Sequence, residues 1–402
     1  MTTETPADVV ESVDRPRRRW RRMTVVTCVL ALLFGVPWWV LMGSGAAWPL
    51  PVFLGGTTIF VVTAIALPVL LGLGHGHRHL DWAAATGLAL LGAVWVLFTW
   101  SVLGQIAQLA LLFAGFDSPL RSRVVAAAVV VIVVGLLIWG YAEAMRIPRV
   151  KKVDVAIAGL GAGLDGLRVV LITDTHYGPI DRARWSAAVA ARVNTLDADV
   201  VGHVGDIADG TVDIRETQAS PLAIVRATSA RVYVTGNHEY FNEAQGWLDY
   251  MDSVGWTPLH NRHIVVERGG DRLIVAGVDD ATAQTSGVHG HGANLDAALA
   301  GADRTLPVLL LAHQPKQVVH AVHAGVDLQV SGHTHGGQIW PFHLLVRLEQ
   351  PVVHGLSRHG ERTQLYTSRG TGFWGPPFRV FAPSEITLLT LRTARSRPQA
   401  AD

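Results

Sequence analysis

The chain has 402 residues, 50% of them hydrophobic, enough for a sizeable folded core beside a separate membrane region. Its 33 basic and 32 acidic side chains nearly cancel, which removes the electrostatic footprint of a nucleic-acid-binding protein or of one with a generally polyanionic partner. A single cysteine, Cys28, sits in an apolar run. It excludes an intrachain disulfide and any cysteine-based zinc site, so a metal would have to be held by His, Asp and Asn.

Residues 1–23 form a polar tail whose Arg15, Arg17, Arg18, Arg19, Arg21 and Arg22 directly precede an apolar stretch at 24–42. A charged start before an apolar stretch resembles a signal peptide. However, no small-residue cleavage site leads into a polar chain, and further apolar runs follow at 52–73, 82–113 and 124–145. Uncharged runs near or above ~20 residues fit membrane-spanning helices better than buried helices of a soluble protein. Residues 24–145 are therefore predicted to be a transmembrane region of about four helices, with Trp38, Trp39, Trp48, Trp82 and Trp100 near the run ends, where indoles suit the headgroup zone. His75, His77 and His79 fall between runs and read as a solvated loop.

The third run carries Ser101, Gln105 and Gln108 and is long enough for one tilted helix or two short passes. Gln105 and Gln108, at i and i+3, read as helix-packing residues rather than as a transport path, and no ionisable residue lies mid-membrane. Four crossings with the arginine-rich tail in the cytoplasm keep eleven of thirteen flanking basic residues there: the six tail arginines, Arg78, and Arg146, Arg149, Lys151 and Lys152, against Arg121 and Arg123 outside. This predicts a multi-pass protein whose following domain faces the cytoplasm. Two passes within 82–113 would export that domain, but each half would fall below the ~17-residue minimum.

From about 150 to 392 the pattern changes to short β-branched runs punctuated by Gly, Asp and His, with alanine-rich segments between them. Strands are predicted at 167–173, 198–204, 230–235, 263–268, 272–278, 306–312, 327–331, 362–368 and 385–391, and helices at 182–195, 242–254 and 294–300. The early alternation implies parallel, buried strands, and the later hairpin-like spacing adds antiparallel pairing. The predicted class is α/β, with sheets flanked by helices, and residues 393–402 read as a disordered tail.

Five of these strands end in residues of metal-binding type. The first runs into Asp174-Thr175-His176, where residues i and i+2 of an extended segment present an oxygen and a nitrogen to one side. The second ends in Gly205-Asp206-Ile207-Ala208-Asp209, and a carboxylate placed there can bridge two cations about 3.5–4 Å apart. The third ends in Gly236-Asn237-His238-Glu239, which offers a neutral oxygen ligand and an imidazole proton donor. The fourth delivers His313, and the fifth delivers Gly332-His333-Thr334-His335-Gly336-Gly337-Gln338. Any one cluster alone is usually a solvated loop. Strand ends on one edge of a sheet, however, converge where open α/β folds bind ligands. His289 and His291 lie among glycines in a loop with no comparable setting.

Asp174-x-His176, Gly205-Asp206-x-x-Asp209, Gly236-Asn237-His238-Glu239, His313 and Gly332-His333-x-His335 together resemble the calcineurin-like metallophosphoesterases over about residues 150–392. The Gly336-Gly337-Gln338 tail, Ser368-Arg369-Gly370 and the preceding apolar runs are similar to the membrane-associated bacterial branch. The resemblance implies a β-sandwich of two mixed sheets flanked by helices and two divalent metal ions (Mn, Fe, Zn or Co by donor type). One metal falls to Asp174, His176, Asp206 and His335, the other to Asp206, Asn237, His313 and His333. His238 faces the phosphate and Asp209 orients its ring. In the protein-phosphatase branch an arginine follows this aspartate; here the residue is Gly210.

The expected function is hydrolysis of a phosphate ester, a phosphodiester or a lipid-linked phosphate, by in-line attack of metal-activated hydroxide. The expected partners are that substrate and a lipid bilayer, with no nucleic acid. The alternative is a non-catalytic membrane metal sensor that retains the fold.

Overall fold

In the computed structural model, residue 20, residues 24–76 and residues 79–394 are described. The six arginines of the tail, His77, Arg78 and the tail from Arg395 lie outside them. The chain divides between Ile138 and Trp139 into two compact units.

Among the described residues, the first unit contains four helices: α1 (Thr24–Gly43), α2 (Leu50–His75), α3 (Asp81–Phe113) and α4 (Pro119–Met145), the last running on into the second unit. Each is long and apolar enough to cross a membrane. α3 is unbroken, so the 82–113 run forms one helix. Gln108 is buried and its amide Nε2 donates to Val40 O at 3.5 Å, the packing role read for it. Arg123, in α4, donates to Ala46 O and Ala47 O and lies over the Trp48 ring, fastening the α1–α2 loop.

The second unit is a sandwich of two six-stranded sheets. The first contains β1 (Arg149–Ile157), β2 (Arg168–Ile172), β3 (Val200–Val204), β4 (Ala230–Val234), β5 (Thr257–Pro258) and β12 (Glu385–Thr393), in the order β1-β12-β2-β3-β4-β5. The second contains β6 (Arg262–Arg268), β7 (Asp271–Gly277), β8 (Val308–Leu311), β9 (Leu328–Ser331), β10 (Gly355–His359) and β11 (Thr363–Thr367), in the order β10-β11-β9-β8-β7-β6. Both sheets are mixed. β2, β3 and β4 run parallel, as do β7, β8, β9 and β11, whereas β12 is antiparallel to β2.

Neighbouring residues of a strand point to opposite faces, and here both faces are covered, which is why these strands read as continuous apolar runs. Val169, Leu171, Val204 and Val234 meet Leu273, Val275, Leu309 and Val330 between the sheets. Val170, Ile172, Val201 and Tyr233 face outward under α5 (Ala183–Asn194) and the later α8 (Ala244–Ser253), against Trp185, Val189, Trp247 and Met251. Ile274, Ala276 and Leu310 pack on Ala298 and Ala321. Between α5 and α8 lie α6 (Val212–Ala219) and α7 (Asn237–Phe241), and α9 (Ala283–Ser286), α10 (Leu295–Ala298), α11 (Val318–His323) and α12 (His343–Val346) follow.

The sequence reading contains no β1, β5, β10, α6, α7, α9, α11 or α12, and three of these are instructive. β1, with Lys151, Lys152 and Asp154 exposed, pairs in parallel with β12 although the first predicted strand begins only at 167 and the basic residues of β1 read as flanking the last membrane run. β10 pairs with β11 as a hairpin. α6 has no clean apolar stripe, yet it seats Arg215, Gln218 and Ala219 in buried positions.

Leu389, on β12, is fully buried between the sheets. Leu389→Ala should cost about 2–5 kcal/mol and lower the melting temperature of the full chain in detergent, whereas Leu348→Ala at an exposed site should leave it within about 0.5 kcal/mol. Equal melting of the two variants would contradict the core assigned to the sandwich.

Candidate metal centre

Because β2, β3, β4, β8 and β9 are parallel within their sheets, the segments that follow them emerge at common strand ends. All five motifs are brought together there. Asp174 N donates to Gly205 O (3.0 Å) and His176 N to Asp206 O (3.2 Å), joining the first two motif loops. Gly332 N donates to His313 O (3.0 Å), joining the last two. The sheets are linked through His313, whose Nδ1 lies 2.7 Å from Val204 O. That bond puts a proton on Nδ1, so Nε2 is the nitrogen left to face a cation.

The pairing of Asp174 with His176, and of His333 with His335, arises differently from the extended alternation read from the sequence. All four residues adopt left-handed backbone (φ +54°, +43°, +69° and +50°), as does Asp206 at +52°. Such conformations are uncommon for residues with a Cβ and are held only where surrounding bonds over-determine them. Here Thr173 Oγ1 lies 2.8 Å from Asp174 Oδ2, and His333 N donates to Asp174 Oδ1 at 2.9 Å. Close packing demands glycine at Gly332, where a Cβ would collide with the Asp174 carboxylate and Thr173.

The donor atoms converge. His176 Nε2 is 3.1 Å from His335 Nε2 and 3.5 Å from Asp206 Oδ2, and His335 Nε2 is 3.4 Å from Asp174 Oδ1. On the other side His313 Nε2 is 3.2 Å from the same Asp206 Oδ2, without a hydrogen bond, and His333 Nδ1 is 2.8 Å from Asn237 Oδ1. Two ligands of one cation with bonds near 2.1 Å are themselves roughly 3 Å apart. Asp174, His176 and His335 form one group able to hold a metal, and Asp206, His313 and His333 another. Facing imidazole nitrogens, an unpartnered buried Nε2 and a shared carboxylate are what two cations would fit.

His238 stands at the edge of this centre. Its Nδ1 is 2.7 Å from Asp209 Oδ1, and the same oxygen is 2.9 Å from His176 Nδ1. Asp209 thereby touches both the His238 ring and a candidate ligand. Burial lowers the His238 pKa, but the Asp206 and Asp209 carboxylates more than offset it, pushing it up to about 9. Burial, together with neighbouring His176 and Arg379, holds His335 well below its ordinary range, so this ring is neutral, as ligation requires.

The calcineurin-like phosphoesterase family model matches residues 167–337, which contain all the candidate ligands together with His238 and Asp209. A "transmembrane protein with metallophosphoesterase domain" of Danio rerio is 33% identical, covering 78% of this chain and 74% of that protein. Its Bos taurus namesake is 36% identical, over 83% and 72%. The chain belongs to the calcineurin-like phosphoesterases. An "uncharacterized metallophosphoesterase" of Helicobacter pylori is also 36% identical, over 63% of this chain and 66% of that one. Among solved structures, a dimetal phosphatase of Danio rerio superposes with a TM-score of 0.36 and 15% identity, over 52% of this chain and 88% of that one. As a member of this family the protein is a metal-dependent phosphoesterase.

Several supports of the phosphoesterase centre escaped sequence reading. Glu239, fully buried, accepts the N–H groups of Gly236, Asp206 and Ile207, binding the second motif to the third; burial and the Asp206 charge push its carboxyl up to about 7. Arg182 is sandwiched between Trp185 and Phe373 and donates to Thr175 O and His176 O. Arg379, also fully buried, donates to the carbonyls of Gly372, His335, Ala382 and Arg369. An isolated arginine in an aromatic, proline-rich run gives no sequence signal of such a role. His291 bonds the Tyr240 hydroxyl (3.1 Å) and Gln245 (3.0 Å), which ties its loop to α7 and α8. His260, Asp279 and His291 also cluster, but Asp279 is already bonded to His260, Asn261 and the Gly292 N–H.

Arg379 is a positioning residue. Arg379→Met should strip buried carbonyls of their donors and lower metal affinity about 10–100-fold, read as metal retained per chain after dialysis against a weak chelator. Retention equal to wild type would show that His335 needs no such support.

Proposed function

We propose that Asp174, His176, Asp206 and His335 hold one divalent cation and that Asp206, Asn237, His313 and His333 hold a second, in an enzyme that hydrolyses a phosphodiester or a lipid-linked phosphate. The observation that carries this reading is Asp206 Oδ2, which faces His176 at 3.5 Å and His313 at 3.2 Å from opposite sides. When bound, the pair of cations supplies Lewis acidity to the phosphoryl group and acidifies the attacking water.

The chain's own residues divide the remaining work. His238, steered by Asp209, is placed to donate a proton to the departing oxygen. Phe241 and Trp374 flank its ring, at centroid distances of 5.3 and 6.1 Å, and line the approach with apolar surface. Next to Gly210, Arg215 directs its Nε to Asp209 O at 3.3 Å. That arginine braces the loop instead of following Asp209 in sequence, a further difference from phosphoprotein phosphatases. A purely metal-sensing protein has no use for the His238–Asp209 pair.

The four apolar helices support a multi-pass anchor, and the unbroken α3 supports four crossings with the catalytic unit in the cytoplasm. Fusions after residue 152 test this: fluorescence from a cytoplasm-only reporter is expected, and alkaline phosphatase activity without it would place the unit outside.

Asp206→Asn should reduce hydrolysis at least about a hundredfold, with loss of metal from both positions. Wild-type hydrolysis at full metal occupancy would overturn the bridging role. His238→Ala should lower turnover roughly 10²- to 10⁴-fold with both metals retained, and Asp209→Asn should lower it less, through the same ring. Fully multiplicative losses in the double variant would mean that the two act independently. A panel of phosphorylated lipids, nucleotides and simple diesters assayed on the full chain would identify the substrate class, and preference for a soluble phosphomonoester would remove the lipid-linked reading.

A further inference from the structure

The catalytic unit begins inside the last turns of α4, so its contacts with that helix end are internal to it. Trp139 packs on Phe381 at a centroid distance of 5.5 Å, Tyr141 packs on Phe378 at 6.2 Å, and Arg379 N donates to Gly140 O at 2.9 Å. Aromatic residues at the end of a membrane-spanning helix mark the headgroup zone. Phe381 is held beside that zone in left-handed backbone, φ +61°, which a bulky side chain adopts only under constraint.

Two segments are joined here. Gln338 donates to Trp374 O and Pro376 O and accepts from Trp374 N, while Trp340 N donates to Val380 O. The first segment continues from the ligand His335 into α12, no residue of which is buried. Together they present Leu344 (55% exposed), Leu345 (49%), Leu348 (83%), Trp374 (44%) and Phe381 (56%). Core-forming leucines do not sit this way, and five large apolar side chains on joined segments exceed scattered surface residues. Arg347, exposed among the leucines, adds the positive charge that suits anionic headgroups, and the neighbouring Glu349 is neutralised by Lys316 at 2.9 Å.

We infer that this collar is a bilayer-docking surface: Leu344, Leu345, Leu348, Trp374 and Phe381 enter the headgroup zone of the membrane that α4 crosses. The occupant is lipid because Phe381, one member of the collar, packs on Trp139 at the end of a membrane helix, and hydrogen bonds tie the segment that carries the leucines to the one that carries Phe381. Trp374 belongs both to the collar and to the surroundings of His238, so docking turns the metal centre toward phosphates at headgroup depth. Docking is independent of the substrate; its use in presenting substrate rests on the lipid-linked reading above.

The test uses the full chain in lipid nanodiscs, with Cys28→Ser removing the native thiol and a bimane label placed at Leu344→Cys, at Leu348→Cys or, as a control, at Ala300→Cys on the loop before β8. Lipid carrying a doxyl group high in its acyl chain should roughly halve emission at 344 and 348, as for side chains ~5–10 Å into the interface, and leave 300 unaffected. Quenching at 348 no greater than at 300 overturns the surface, as does a label shielded from both doxyl lipid and aqueous iodide, the signature of a second protein chain. In a second arm, Leu344→Gln, Leu345→Gln and Leu348→Gln are combined. Turnover of bis-p-nitrophenyl phosphate should be unchanged, while hydrolysis of a long-chain phospholipid ester in vesicles falls about tenfold through lost apolar contact. Lipid quenching with unaltered lipid hydrolysis in the triple variant supports the docking surface and overturns its use in presenting substrate, whereas lipid quenching with no lipid hydrolysis by the wild-type chain overturns the lipid-linked substrate.

Discussion

Asp206 carries a negative charge that is nearly inaccessible to water, and its Oδ2 is met by imidazoles from both sheets: His176 after β2 and His313 after β8. Burying a carboxylate costs several kcal/mol unless partners satisfy it. The rest of the catalytic unit can be read as the means of supplying those partners. Asp174 and Glu239 are buried close by, and burial together with the Asp206 charge raises both carboxyls. Two divalent cations would relieve this crowding of acids and occupy the lone pairs of the facing histidines. The sandwich topology follows from the same requirement, because only parallel strand ends in two sheets bring five short loops to one place.

Holding the loops there takes an unusual amount of backbone constraint. Five candidate ligands sit at positive φ, and buried Arg182, Arg379 and Glu239 spend their hydrogen bonds on main-chain groups of the motif loops rather than on substrate. These residues connect the ligand geometry to the core: Arg182 stacks between Trp185, part of the helix layer, and Phe373, on the loop that also carries Trp374.

The convergence of the five motifs is legible in the sequence because its information is local. Each motif is a few residues long and follows a β-branched run, and Gly205, Gly236 and Gly332 mark where backbone must pass closely. The apolar helices were legible for the same reason. What escaped was long-range or conformational. β1 takes its place by pairing with β12, more than two hundred residues away, and its exposed Lys151 and Lys152 give it no apolar run to mark it as a strand. The i, i+2 spacing of Asp174 and His176 suggests strand alternation, but left-handed turns produce the pairing, and nothing in Asp174 or His176 as residue types signals them. Arg379 illustrates the limit most plainly, since a buried arginine is a property of its surroundings.

Dependence of hydrolysis on two cations held by this one constellation is tested by counting metal per full-length chain in detergent by elemental analysis while following diester hydrolysis as a strong chelator removes it and divalent metal is returned. Two equivalents are expected at full activity, with loss of hydrolysis on their removal and recovery on their return. Undiminished hydrolysis by metal-free protein, or full activity with a single equivalent bound, would contradict it.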